Sequence, residues 1–149
     1  MCAHILSCGH DIVWYIIGDG PDREAVENAI LRENMEDRVI MLGAKTNPYP
    51  YIAACDIYVQ PSIFEGKAVA VREAQILQKP VVITAYPTAS SQLTDGFDGV
   101  IVPLDTDGCA EGICSLLSDK TKLETLRENC KNSNYSNESE IEKIYSLMN

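Results

Sequence analysis

The chain has 149 residues, the size of one ordinary domain and too few for two large ones. At 46% hydrophobic and 23% charged residues it can bury a core, and no apolar stretch reaches the ~20 residues that a spanning helix needs. A formal net charge of −10 argues against nucleic acid and anionic membrane surfaces as partners, because both would repel it. Residues 1–118 hold 16 of the 22 acids but only 7 of the 12 bases, so an anionic ligand bound there must rely on a few cations or on backbone N–H groups. The six cysteines show no C-x-x-C spacing, and His4 and His10 are not placed to complete a metal site. They are expected to be free, mostly buried thiols of a reducing cytosol. The N-terminus lacks a basic region followed by an apolar run, so no secretory signal is expected.

Residues 1–11 look like the tail of a helix and its loop, although an open parallel sheet ordinarily begins with a strand. Ile12 to Ile17 is a continuous apolar run that predicts a strand buried on both faces, ending at Gly18. Pro21 suits the first turn of the next helix, with Ala25, Val26, Ala29 and Ile30 on one apolar face. Val39 to Leu42, closed by Gly43, predicts a second strand. A short helix over Tyr51–Cys55 and a third strand over Ile57–Val59, stopped by Pro61, follow. Val69 to Leu77 has a helical pattern with Pro80 just past its end. Val81–Ile83 and Gly99–Val102 predict the fourth and fifth strands. Helices are expected near Ala110–Leu117 and Lys122–Cys130, then a polar linker at 132–137 and a last helix from Glu138 to Leu147. The alternation argues for an α/β domain: a Rossmann-like parallel sheet with helices on both faces over 1–131, then linker and helix over 132–149.

In open parallel sheets, ligands bind beyond the carboxyl ends of the strands. Three segments carry unusual residues there. Gly18–Asp19–Gly20–Pro21 permits a tight turn into a helix, which serves either a phosphate or ribose contact or simple turn chemistry. It is not a G-x-G-x-x-G fingerprint, so no dinucleotide site is expected. In the second segment, Glu65 stands at a loop-to-helix junction and Glu73 about two turns further on, ~10 Å along a helix axis. Carboxylates match the vicinal hydroxyls of a sugar. Gly66 permits close approach of a ligand, and the N–H groups of Gly66, Lys67 and Ala68 are available to an anion at the helix start. The apolar neighbours of Glu73 imply a specific partner for its carboxylate. The third segment, Thr84 to Gln92, has small hydroxylated residues that could line a pocket or cap a short helix.

In order along the chain, these segments resemble the C-terminal domain of the family 4 or group 1 glycosyltransferases, one half of the GT-B fold. The likeness runs from about Trp14 to Asn129 and rests on Ile17–Pro21, Val39–Gly43, Ala53–Ser62, the two glutamates Glu65 and Glu73 with seven residues between them, Lys79–Val82 and Asp95–Pro103. The resemblance implies transfer of a sugar from a nucleotide diphosphate sugar, with retention of configuration and without a metal or cofactor. Capsule, exopolysaccharide or lipopolysaccharide synthesis is the implied setting. Glu65 would be the catalytic-site carboxylate that contacts the donor sugar, and Glu73 would bind ribose. Gly66, Lys67 and Ala68 would present N–H groups to sugar and diphosphate; Gly18 and Gly20 would also contact the donor, and Ala44 and Lys45 would lie near the base.

Three departures stand out. Family members commonly read Glu-Gly-Phe-Gly where this chain has Glu65–Gly66–Lys67–Ala68, and an acid is usual where Gln92 stands. The family's first strand and helix, with an arginine and a lysine that clamp the diphosphate, are not recognised here, nor is an acceptor domain. The chain is therefore expected to be inactive alone and to need an N-terminal acceptor domain or another chain. A cytoplasmic location is expected, at the membrane surface if the acceptor is there. Two other functions fit the same resemblance: a non-catalytic domain that binds nucleotide-sugar or a partner protein, and a GT-B-type sugar-nucleotide epimerase, for which no acid–base set is evident.

Overall fold

The computed structural model describes residues 1–135, so the predicted 138–147 helix and the end of the 132–137 linker lie outside the described residues, while Asn132 of that linker belongs to the last described helix. The described elements alternate as predicted: α1 (Cys2–Ser7), β1 (Trp14–Ile17), α2 (Arg23–Arg32), β2 (Val39–Gly43), α3 (Tyr49–Ala54), β3 (Tyr58–Gln60), α4 (Val69–Ile76), β4 (Val81–Thr84), β5 (Val100–Val102), α5 (Thr106–Ser118) and α6 (Lys120–Asn132). A single 3₁₀ turn, Ala89–Ser91, lies between β4 and β5. Every strand pair is parallel. The pairing forms two pieces, β1–β2 and β3–β4–β5, and no ladder joins them among the described residues.

Strand alternation explains how the sheet acquires two covered faces. Successive side chains of a strand point to opposite sides. In β4 all four residues are buried. Val82 packs with Val102 and with Ile5, Cys109, Ala110, Ile113 and Leu126 of α1, α5 and α6. Val81 and Ile83 pack on the other face with Ile52 of α3 and with Val71 and Ala74 of α4. Ile57, Val59 and Trp14 join the first cluster and Tyr58 joins the second, so β1 and β3 rest on the same helical layer. Behind α4, the fully buried Gln75 donates from Nε2 to Asp98 Oδ2 at 3.0 Å, and Asp98 Oδ1 accepts from the Thr94 N–H at 2.7 Å. This bond ties α4 to the loop before β5.

Three expectations are corrected. First, β1 is not buried on both faces: Val13 is 44% and Tyr15 57% exposed. Helix α2 buries none of its residues fully, and an open groove lined by Ile30, Leu31, Val39, Ile40 and Met41 lies between it and β2. Second, α2 starts at Arg23, not Pro21, because the Asp19–Gly20 turn closes on itself first and the Arg23 N–H bonds to the Gly20 carbonyl at 3.1 Å. Ala25, expected on the apolar face, is exposed. Third, the cysteines are free but not mostly buried. Cys109, Cys114 and Cys130 are buried, Cys2 and Cys55 are half-buried, and Cys8 is exposed. Burial pushes the Cys114 thiol up to about 11, which suits an inert side chain.

Helix α5 lies close enough to β5 to exclude side chains. A Cβ on Gly112 would stand 2.3 Å from Val102 Cγ1, and one on Gly108 would stand 2.7 Å from Pro103 Cβ. Gly112→Ala should therefore destabilise the domain although alanine favours helix by ~1 kcal/mol, because overpacking a core costs about 1–3 kcal/mol. Thermal unfolding measures this: a lower midpoint is expected, and a raised one would show that the α5–β5 spacing is wrong.

Candidate functional site

Polar side chains gather where the chain leaves β2, β3 and β4. Gln60, the last residue of β3, is followed by Pro61 and Ser62, and the chain then turns through Glu65 into α4. Glu65 is half-buried, and its Oε1 accepts from Ser62 Oγ at 2.7 Å and from Gln60 Nε2 at 2.9 Å. The Tyr58 hydroxyl donates to Gln60 Oε1 at 2.7 Å, so an amide relay runs from the strand to the carboxylate. The Glu65 backbone is held from the other side, by Thr88 Oγ1 donating to its carbonyl at 2.6 Å. Thr84, at the end of β4, donates to the Ser62 carbonyl. The third segment singled out from the sequence thus packs against the second.

Glu73 lies one helical turn and more beyond Ala68, half-buried on α4. Its expected partner is Tyr49, whose hydroxyl donates to Glu73 Oε1 at 3.0 Å. The two carboxylates act on one phenol. Tyr58 is pushed up to about 12, first by burial and then by the charges of Glu73 and Glu65. Tyr49 is also raised, chiefly by its hydrogen bond to Glu73. Tyr58 therefore holds its proton in the folded state above the ordinary value of 10. The sign follows: this contribution to stability is complete below about pH 10 and is lost as pH rises through about 12. Tyr135 is also raised, first by burial, so a phenolate absorbance titration should show at least two tyrosines lagging to about 12 or beyond, and complete ionisation by pH 11 in the folded protein would refute the burial of Tyr58.

The start of α4 is open. Ala68 is its N-cap and provides no side-chain hydrogen bond. Among the described residues, the N–H groups of Gly66, Lys67 and Ala68 have no hydrogen-bond partner. By contrast, Asp105 and Asp119 close the starts of α5 and α6, accepting from Gly108 and Lys122 N–H groups at 2.8 and 2.9 Å. Gly66 and Lys67 are exposed, and a Cβ on Gly66 would meet no heavy atom within 4 Å. Unsatisfied N–H groups at a helix start carry partial positive charge and favour an anion.

The other candidate residues lie on the neighbouring piece of sheet. The Gly18 N–H donates to the Gly43 carbonyl at 3.1 Å, and the Gly20 N–H to Asp19 Oδ1 at 2.9 Å. Both N–H groups are used within the protein, so what these glycines offer a ligand is space: a Cβ on either meets nothing within 4 Å. Arg23, which the sequence reading did not single out, makes ion pairs with Asp19 and Glu27 beside Gly43. Ala44 is exposed, and Lys45 Nζ stands 5.6 Å from the centre of the Tyr51 ring. The segment after β2 reaches the glutamates through Tyr49; no hydrogen bond joins the 18–20 turn to the 65–68 loop among the described residues. Tyr49 was also missed as a site residue, while Gln60, Ser62 and Thr88 lie in the second and third segments singled out from the sequence but were given no role of their own. No group of three His, Cys, Asp or Glu that could hold a metal ion occurs among the described residues, and none of their helices is long and apolar enough to cross a membrane.

Parallel strands β3 to β5 between two helical layers, with the polar cluster beyond β3 and β4, define a Rossmann-like α/β domain, and its structural neighbours are GT-B glycosyltransferases. Staphylococcal TarM superposes over 97% of this chain and 30% of its own, with a TM-score of 0.83 at 24% identity. Anabaena HepE, solved in complex with UDP-glucose, superposes over 87% of this chain and 37% of its own, with a TM-score of 0.77 at 25% identity. The sequence family described as Glycosyl transferases group 1 matches residues 2–135, and the chain belongs to that family. Among curated relatives, the Campylobacter jejuni N-acetylgalactosamine-N,N'-diacetylbacillosaminyl-diphospho-undecaprenol 4-alpha-N-acetylgalactosaminyltransferase is 29% identical over 82% of this chain and 33% of its own length. The Escherichia coli UDP-Gal:alpha-D-GlcNAc-diphosphoundecaprenol alpha-1,3-galactosyltransferase is 28% identical over 82% of this chain and 32% of its own. The chain thus spans about a third of the length of these curated relatives.

Proposed function

We propose that this chain is the donor-binding half of a retaining, nucleotide-sugar-dependent glycosyltransferase. The observation that carries the proposal is the pair of braced carboxylates, Glu65 and Glu73, flanking an uncapped helix start. Carboxylates accept paired hydrogen bonds from sugar hydroxyls, and open N–H groups donate to the oxygens of a diphosphate. Glu73 binds the ribose hydroxyls. Glu65, held through Oε1, presents Oε2 to the transferred sugar as the carboxylate nearest the reacting carbon. The N–H groups of Gly66, Lys67 and Ala68 take diphosphate oxygens, and Lys67 adds the cation that this acidic chain otherwise lacks there. Gly18 and Gly20 leave room for the donor, and Ala44 and Lys45 lie toward the base. No metal is assigned a role.

HepE is described as bound to UDP-glucose, and both curated relatives named above carry diphospho-undecaprenol in their names. This supports a nucleotide diphosphate donor and a role in polysaccharide assembly at the cytoplasmic membrane surface. In this reading residues 2–135 supply the donor half, and the acceptor half is contributed by an N-terminal domain or another chain. Calorimetry with UDP, GDP and NAD tests the donor class. Binding of UDP or GDP with no binding of NAD is expected; a preference for NAD, or no binding of either diphosphate, would overturn it.

A further inference from the structure

Tyr49 touches the proposed ribose carboxylate. Its hydroxyl donates to Glu73 Oε1 at 3.0 Å across 24 residues of chain. Three features make this a built contact. Tyr49 stands between Pro48 and Pro50, whose rings fix φ on both sides of it. Its N–H donates to Asn47 Oδ1 at 3.2 Å, which sets the entry into α3. Ile52 of α3 is buried in the same cluster as Val71 and Ala74 of α4, so the two helices are locked with Tyr49 and Glu73 at their facing sides. Among the described residues, Glu73 Oε2 receives no hydrogen bond.

We infer that Tyr49 is a positioning residue: it holds Glu73 through Oε1 so that the carboxylate is already aimed when the two ribose hydroxyls arrive. This rests on the donor-site proposal above and adds to it a source of specificity for a cis-diol. A free glutamate side chain must lose three torsional freedoms on binding. One held by a phenol on a proline-fixed backbone has lost them beforehand, and such preorganisation appears as affinity. The benefit is confined to ligand groups that meet Glu73.

The test compares UDP with 2′,3′-dideoxy-UDP on the wild-type chain, Tyr49→Phe, Glu73→Gln and the double variant, by calorimetry. Tyr49→Phe should weaken UDP about three- to tenfold, the loss of one hydrogen bond to a charged group. It should leave dideoxy-UDP unchanged and add nothing in the Glu73→Gln background. Equal loss for both ligands, additive loss in the double variant, or UDP affinity within about twofold of wild type would each overturn the inference. A ligand-free measurement stands beside it. In carbon-labelled tyrosine NMR, the Tyr49 phenol should titrate lower in Glu73→Gln than in wild type; no movement would show that the contact is absent in solution and would overturn the inference by itself. If Glu73→Gln weakens UDP and Tyr49→Phe does not, positioning by Tyr49 fails and the donor site stands. If wild type binds no nucleotide diphosphate, the donor site fails and takes this inference with it.

Discussion

Glu73→Gln should lower the affinity for UDP about ten- to a hundredfold while leaving the fold intact. Hydrogen bonds to a charged acceptor are worth about 1.5–3 kcal/mol, and each 1.4 kcal/mol is tenfold in affinity. Glutamine keeps the size of the side chain but replaces one acceptor oxygen with a donor, so the ribose loses one bond and faces a mismatched group. The fold does not depend on this charge. Glu73 is half-buried and bonds to the exposed Tyr49, while α4 is anchored by the buried Val71, Ala74 and Gln75. The thermal midpoint should therefore move by only a few degrees, as for a surface change of about 0.5 kcal/mol. Calorimetry and thermal unfolding on the same sample separate the two effects. A large loss of stability would assign Glu73 a structural role.

Glu65→Ala should act on a different part of the ligand. It should remove most of the affinity that a nucleotide diphosphate sugar gains over the bare diphosphate, about tenfold or more, and leave UDP itself within about threefold. In the complete enzyme, transfer should fall at least about a hundredfold, the scale for losing one electrostatic partner of a reacting centre. The structural reason is the double acceptance at Oε1. Ser62 and Gln60 fix the carboxylate through Oε1, and among the described residues Oε2 receives no hydrogen bond. Ser62 and Gln60 are half-buried and can return to water when Glu65 is removed, so the stability cost should be about 1 kcal/mol. Equal losses for UDP and its sugar would place Glu65 on the diphosphate instead.

The parts of the fold that were legible share one property: local punctuation. β3, β4 and β5 are short apolar runs closed by proline, glycine or threonine, and each formed within a residue or two of its predicted limits. The spacing of Glu65 and Glu73 was legible because both stand on one continuous loop and helix. The apolar run of β1 was misjudged because continuous hydrophobicity does not reveal whether a second layer covers the strand, and Tyr15 is left exposed. The braces were invisible for a related reason. Gln60, Ser62 and Thr88 read locally as strand-end and capping residues, yet Thr88 reaches Glu65 from 23 residues away and Tyr49 reaches Glu73 from 24. Such pairings are made by the crossovers of a parallel sheet, not by spacing along the chain. The expectation that Glu73 needs a partner was sound; the identity of that partner required the fold.

The most direct test of the donor site is a map of amide NMR shifts as UDP, and then a UDP-sugar, is added to the chain. The account predicts the largest changes from Glu65 to Glu73, with further changes at Gly18–Gly20 and from Ala44 to Tyr51, and an added change at Glu65 when the sugar is present. Saturating UDP that leaves 65–73 unmoved, or that moves instead the groove between α2 and β2, would contradict it.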